Sequence, residues 1–575
     1  MKRILLPVLL SLNYITFAQS FITPFEQSNG KQSATYEQAI SFYNQLDDKY
    51  DQIEMQVVGP TDAGRPLHVV YYTNDGDFNI TDWKQAGKMV LLINNGIHPG
   101  EPDGIDASMM LLRDAAERKI KVPDNVVLAV IPVFNIGGAL NRNSYSRANQ
   151  NGPEAYGFRG NSQNLDLNRD FMKMDAKETR SLVKLWHKID PDFFIDNHVS
   201  DGADYQHIMT LLATQHDKLG GRMGKYLNEK LEPMICEDMK RSGYDLVPYV
   251  NDFKNTPDSG WTAFYERPRF ASGYAVLFQT YSFVPETHML KPFDQRVTAT
   301  YKLMQTFIKI ASEHSDEIQR TRKQDRVAII AQHSFTLEWK EDTTKPTFIT
   351  FKGYQSGYKK SEVSNLPRLY YDRNKPFSRQ VPFYNTFVPA EVVPAPVAYA
   401  IPQTWVKVIS RLKDNGVHTM RLEKDSDIAV QSYYIKDYET VKKPYEGHYL
   451  HSKVSVIKKD QTVHLLKGDY IVSVDQLAKR YIIEALEPTA PDAFFAWGFF
   501  DAVLQQKEYY SDYVFEDETA DYLRSHPELR QALDAKKKTD TAFAKSAEMQ
   551  LDFVYRHSPY YELEHMRYPV FRIEH

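Results

Sequence analysis

Apolar and polar positions change rhythm near residue 325. Before it, short unbroken apolar runs alternate with helical patterns. Met89–Val90–Leu91–Leu92–Ile93 is continuous, as strands buried on both faces are. Asn125 to Phe134 is a second such run. Between them Ile105, Met109, Leu112 and Ala116 recur at helical spacing. Leu182, Leu185, Trp186 and Ile189 mark a later helix. A D-x-x-E pattern, Asp175 to Glu178, predicts its start, and Pro191–Asp192 its end. Phe193–Phe194–Ile195 then opens another strand. Strand–helix–strand repetition predicts an α/β domain over residues 33–325, built on a mostly parallel sheet.

From 326 the texture is different. Residues 347–354 and 467–474 read as short strands. Residues 387–402 carry four prolines, which predicts neither a helix nor a central strand. Trp405, Val408, Ile409 and Leu412 share a helical face that Asn415–Gly416 closes. From 492 the chain is aromatic and reads as helical. Residues 326–575 are thus expected to form a β-rich accessory region with a helical tail.

At the N-terminus, Lys2 and Arg3 precede a mostly apolar stretch from Ile4 to Thr16, and Thr16–Phe17–Ala18 suits a cleavage site. Residues 1–18 therefore read as a secretory signal peptide, placing the mature chain outside the cell or in a periplasm. No later segment reaches the roughly 18 apolar residues of a membrane span. The chain of 575 residues has a formal net charge of −5, which gives a nucleic-acid partner no electrostatic support. Its one cysteine, Cys236, cannot form an internal disulfide, so the thiol reads as an ordinary packed side chain.

Chemistry concentrates at the predicted strand ends. His98 and Glu101 follow the strand 89–93 within a tight "HPGE" turn, and such a pair can offer an imidazole nitrogen and a carboxylate to one zinc ion. "FFIDNH" ends a strand with His198, "YSFVPETH" ends another with Glu286, and "NLDLNRDF" groups Asp166, Asn168 and Arg169. Side chains at the carboxyl ends of parallel strands share one crevice. Two histidines, one glutamate and an open fourth position make a catalytic zinc site. A further glutamate outside the metal shell can deprotonate water there.

These motifs, "HPGE" (98–101), "LDLNRDF" (165–171), "DNH" (196–198) and "ETHMLKP" (286–292), occur in the order found in the zinc metallocarboxypeptidases of the carboxypeptidase A/B type, which residues 35–310 resemble. The resemblance implies a doubly wound α/β fold around a mixed sheet flanked by helices, one bound Zn2+, and a peptide substrate cut at its C-terminal residue. It implies His98, Glu101 and His198 as zinc ligands and Asp166 as the carboxylate that orients His98. Asn168 and Arg169 would hold the substrate's free carboxylate, and Glu286 would be the general base. The oxyanion arginine stays open between Arg159, in an R-x-N pattern, and Arg147, with Arg159 preferred. A substrate-covering tyrosine has only Tyr265 and Tyr274 as candidates. His207 and His288 are assigned no metal role. Asp252, Asp258 and Glu266 could favour basic side chains in the specificity pocket. Two other readings use the same residues: an amidase or endopeptidase acting on peptidoglycan stem peptides, and a binding protein that has lost catalysis.

Overall fold

The computed structural model describes residues 21–251 and 256–575. The expected signal peptide and Asp252 lie outside them. In chain order the first strands are β1 (Ile53–Pro60), β2 (Pro66–Tyr72), β3 (Met89–Asn94), β4 (Val126–Ile131), β5 (Phe193–Asp196), β6 (His198–Ser200), β7 (Met209–Ala213), β8 (Val247–Pro248), β9 (Trp261–Thr262) and β10 (Tyr281–His288). All but β9 form one sheet, ordered β1-β2-β4-β3-β5-β10-β7-β8, with β6 also on β10. β4, β3, β5 and β10 are parallel; β2 and β7 join them antiparallel. Every residue of β3, β4 and β5 is buried, as their unbroken apolar sequences require.

Helices Asp103–Ala116 and Phe293–Glu313 cover one face of the sheet, and Lys177–Ile189 covers the other. The chain is therefore an α/β protein with a doubly wound mixed sheet. From β3 it steps outward to β4, then returns to β5 on the opposite side of β3. That reversal opens a crevice at the carboxyl ends of β3 and β5. Phe21 and Phe25, ahead of residue 33, pack into the core with helix Tyr36–Lys49.

The D-x-x-E helix start does not form. The helix begins at Lys177 after Ala176, without a side-chain cap. Asp175 instead meets Lys173 Nζ at 3.1 Å and His448 Nε2 at 2.6 Å, while Glu178 accepts from Asn161 and from the Asp62 backbone. Long-range charged partners outcompete the local cap.

The C-terminal strands are β11 (Ser334–Glu341), β12 (Thr347–Lys360), β13 (Pro367–Tyr384), β14 (Phe387–Pro394), β15 (Ala398–Ile401), β16 (Met420–Arg421), β17 (Ser426–Thr440), β18 (His451–Leu465), β19 (Tyr470–Ser473) and β20 (Phe571–Ile573). β11 pairs with β14, and the β12–β13 hairpin takes β9 at its base. The remaining six form a sheet in the order β16-β19-β15-β20-β17-β18. β15 is thus a central strand inside the proline-rich segment, contrary to expectation. Pro396 and Pro402 fall outside it, so no ladder bond within the strand is lost.

The aromatic stretch after 492 is also not helical at first. It is a run of turns, and the tail's long helices begin at Asp512. Phe494, Phe495 and Phe500 are buried in the same core cluster as Leu92, Trp186 and Phe194, and the Phe278 and Tyr481 rings lie 5.4 Å apart. The nine-stranded sheet and the C-terminal region share one core. Among the described residues no helix is long and apolar enough to cross a membrane.

One buried ion pair locks the helix after the HPGE turn to the end of β10. Arg296 is fully buried; its Nε lies 3.0 Å from Asp103 Oδ2, and Nη1 donates to the carbonyls of Asn151, Met289 and Lys291. Thr287 Oγ1 donates to the same carboxylate. Removing one partner strands the other charge out of water. Arg296→Met is expected to cost about 3–5 kcal/mol of folding stability, measured by chemical denaturation.

Candidate metal centre

β3 ends at Asn94, and the next residues must turn before the helix at Asp103. His98 to Glu101 makes that turn: Glu101 N–H donates to His98 O at 2.8 Å, with Pro99 and Gly100 between. Gly100 is needed for space, because a Cβ there would stand 2.9 Å from Arg147 Cδ. On the neighbouring strands, β6 pairs with β10 in a register that sets His198 beside Glu286. Pairing register alone therefore brings these two together.

His98, Glu101 and His198 are buried, and each offers a ligand atom within 4.8 Å of the others. The two imidazoles are oriented alike. His98 Nε2 lies 2.8 Å from Asp166 Oδ1, and His198 Nε2 lies 3.0 Å from Asp196 Oδ2. Each Nε2–H donates to a carboxylate, which leaves Nδ1 as the free lone pair. His98 Nδ1 is buried and makes no hydrogen bond. His198 Nδ1 sits 3.1 Å from Glu101 Oε2. A buried acceptor without a donor, beside a second imidazole lone pair and a carboxylate, suits a divalent metal.

Charge is balanced around this cluster. Burial works against ionised Glu101, but Arg147 and His98 outweigh it and hold the carboxyl well below the usual range. Burial opposes the charge on Asp166 too, yet His98, Arg159 and Arg169 hold it far below. Burial would lower His198, but Asp196 draws it well above the ordinary imidazole value. Glu286 is different: burial, with the Glu101 charge nearby, pushes it up to about 8 against the pull of His198.

The cluster opens into a cavity of about 430 Å³, which His98, Glu101, Arg147, Arg159, Asn168, Arg169, His198, Glu266 and Glu286 help to line. Asn168 Oδ1 accepts from Ala271 N at 3.1 Å, so its NH2 is the group left to donate. The Arg169 guanidinium lies 4.2 Å over the Phe270 ring. Asp170, its sequence neighbour, turns away to Lys173.

The two arginines differ. Arg147 is fully engaged: Nη1 on Glu101 Oε1 at 2.7 Å, Nη2 on Val199 O at 2.9 Å, and Nε on Gln150 at 2.6 Å. Arg159 Nε donates to Asp166 Oδ2 at 2.9 Å, its side chain is 45% exposed, and Nη2 has no hydrogen-bond partner among the described residues.

The chain is similar to known proteins over most of its length. Carboxypeptidase 2 of Trichophyton rubrum is 23% identical over 437 residues, 72% of this chain and 74% of its own. Carboxypeptidase 2 of Trichophyton equinum is 22% identical over the same shares. Both of these similar proteins carry the name carboxypeptidase. No family model matches it. A metallo-carboxypeptidase from Burkholderia cenocepacia and carboxypeptidase A from Helicoverpa armigera superpose with TM-scores of 0.38 and 0.36. Their identities are 18% and 14%, over 49% and 50% of this chain and 70% and 74% of theirs.

Tyr274 is fully buried and donates to Asn415, and Tyr265 packs on Phe387, so neither faces the cavity. The lining tyrosine is Tyr249, which sequence reasoning missed. Asp258 pairs with Arg379 outside the cavity, whereas Glu266 lines it and accepts from Ser272. His207 and His288 are bonded to backbone groups, and burial brings His288 down to about 4. Burial pushes the Cys236 thiol up to about 12, far from a reactive thiolate. Asp196 was also missed, although it stands only two residues before His198, where β5 ends and β6 begins.

Asp196→Asn is expected to weaken divalent-metal retention by about 10–100-fold, read by chelator competition, with the fold unchanged.

Proposed function

We propose that this chain is a secreted or periplasmic zinc metallocarboxypeptidase, with residues 1–18 as export signal, 33–325 as catalytic unit and 326–575 as accessory region. One observation carries the reading: two imidazoles pinned through Nε2 and one carboxylate share a cavity wall with Glu286, Asn168 and Arg169. His98 Nδ1, His198 Nδ1 and Glu101 would hold zinc. Bound there, zinc supplies a Lewis acid that acidifies water and polarises a carbonyl.

The other steps belong to the chain. Arg169, braced on Phe270, and the Asn168 amide hold the substrate's terminal carboxylate; a planar guanidinium can donate two parallel hydrogen bonds to it. This fixes the last peptide bond in the site and excludes internal ones. Glu286 takes a proton from the attacking water and returns it to the departing amine. A carboxyl raised by burial suits both transfers. Arg159, whose Nη1 reaches Glu101 Oε1 at 3.4 Å, donates from its free Nη2 to the oxygen that becomes negative, while Arg147 stays on Glu101 at 2.7 Å. Asp166 and Asp196 keep the imidazoles in the tautomer that presents Nδ1.

The decisive experiment compares one peptide with a free and an amidated C-terminus on the zinc-loaded protein. Activity is expected on the free acid and to be lost on the amide. Equal rates would reject the clamp and favour an amidase or endopeptidase. Glu286→Gln is expected to lower kcat by about 10²–10⁴-fold with zinc content unchanged; unchanged turnover would reject Glu286 as base.

A further inference from the structure

The turn that carries Asp166, Asn168 and Arg169 is held from outside the catalytic sheet. β17 and β18 form a long ribbon whose pairing runs to Thr440 and His451. The chain between them ends in a two-residue turn. Tyr445 N–H donates to His448 O at 2.7 Å and His448 N–H to Tyr445 O at 3.0 Å, with Glu446 and Gly447 at the tip. Both tip residues have positive φ, 49° and 81°. Such turns favour Asn, Asp or Gly at the first tip position. Glutamate there is a poor local choice, and a poor local choice marks a site where something else is selected.

That something is in contact with the catalytic turn. Glu446 Oε2 accepts from the backbone N–H of Asp166 at 2.7 Å. The Asp166 carboxylate already faces His98 Nε2, Arg159 Nε and Asn168 N–H. Glu446 therefore fixes the one end of Asp166 that the catalytic unit leaves free. Around it, His448 grips Asp175, and Tyr445 lies parallel to Trp497. Arg269 packs against both rings and is held by Asp492 through N–H and Nε, at 2.8 Å each. The next residue is Phe270, which supports Arg169.

We propose that Glu446 is a positioning residue of the active site, acting through the Asp166 backbone to set the substrate-carboxylate clamp and the orientation of His98. This rests on the carboxypeptidase reading above. It gives the C-terminal region a part in catalysis rather than a separate binding task.

The test uses the full-length, zinc-loaded protein. Glu446→Gly removes the acceptor but suits the positive φ, so relieved strain offsets the lost bond and the melting temperature is expected to stay within about 2 °C. KM for a free-carboxylate peptide is nevertheless expected to rise about tenfold, and more than kcat falls. Glu446→Gln keeps an oxygen acceptor and is expected to restore KM to within about twofold. Wild-type KM in the glycine variant would overturn the proposal, as would a glutamine variant no better than glycine. Zinc release to a chelator is measured on the same proteins, and is expected to be faster in the glycine variant than in wild type and in glutamine. Equal release rates would count against the link to His98. If the wild type cleaves no peptide, the carboxypeptidase reading fails, while the release rates still test Glu446.

Discussion

Buried negative charge is the constraint on which the site depends. Glu101, Asp166 and Asp196, all buried, converge with the partly buried Glu286 near the carboxyl ends of β3, β5 and β10. Ionised carboxylates out of water are unstable unless positive charge meets them closely. Arg147 and Arg159 answer Glu101 and Asp166 directly, and the two imidazoles bridge the rest. A dication between the Nδ1 atoms would complete this balance. Glu286, which no arginine among the described residues meets in an ion pair, is the carboxyl that burial raises. In the proposed mechanism one crowded set of like charges divides into ligand, orienting partner and proton carrier.

The fold meets this constraint by bringing charges from separate strand ends. The topological reversal beside β3 places the HPGE turn next to the end of β5, and the β6–β10 register adds Glu286. Neither supplies Asn168 and Arg169, the proposed substrate clamp. These come from a loop turn with little regular structure of its own, which Phe270 meets on one side and the β17–β18 tip on the other.

Much of the α/β fold was legible in the sequence because burial there writes a simple pattern. Strands covered on both faces must be apolar throughout, and β3, β4 and β5 are. His98, Glu101, His198 and Glu286 each follow such a run, so their convergence could be read from strand ends. The helix start at Asp175 misled because its carboxylate has distant partners, Lys173 and His448, that outbid a local cap. β15 misled because prolines break ladders only where they fall inside them. Asp196 had a signal in its spacing from His198. Tyr249 and Glu446 had none, because each reaches the site through tertiary packing that no local period records.

The shared core has a consequence for how the chain comes to be folded. Leu92, Trp186 and Phe194 belong to one core cluster with Phe494, Phe495 and Phe500, which are synthesised some three hundred residues later or more. Contacts so distant along the chain close slowly and cannot close at all before the last segments exist. The core on that face of the sheet is therefore completed only when the tail arrives. A core drawn from both halves of the chain reaches its final packing only when synthesis is nearly done, so the crevice at the ends of β3 and β5 is among the last features to be fully braced.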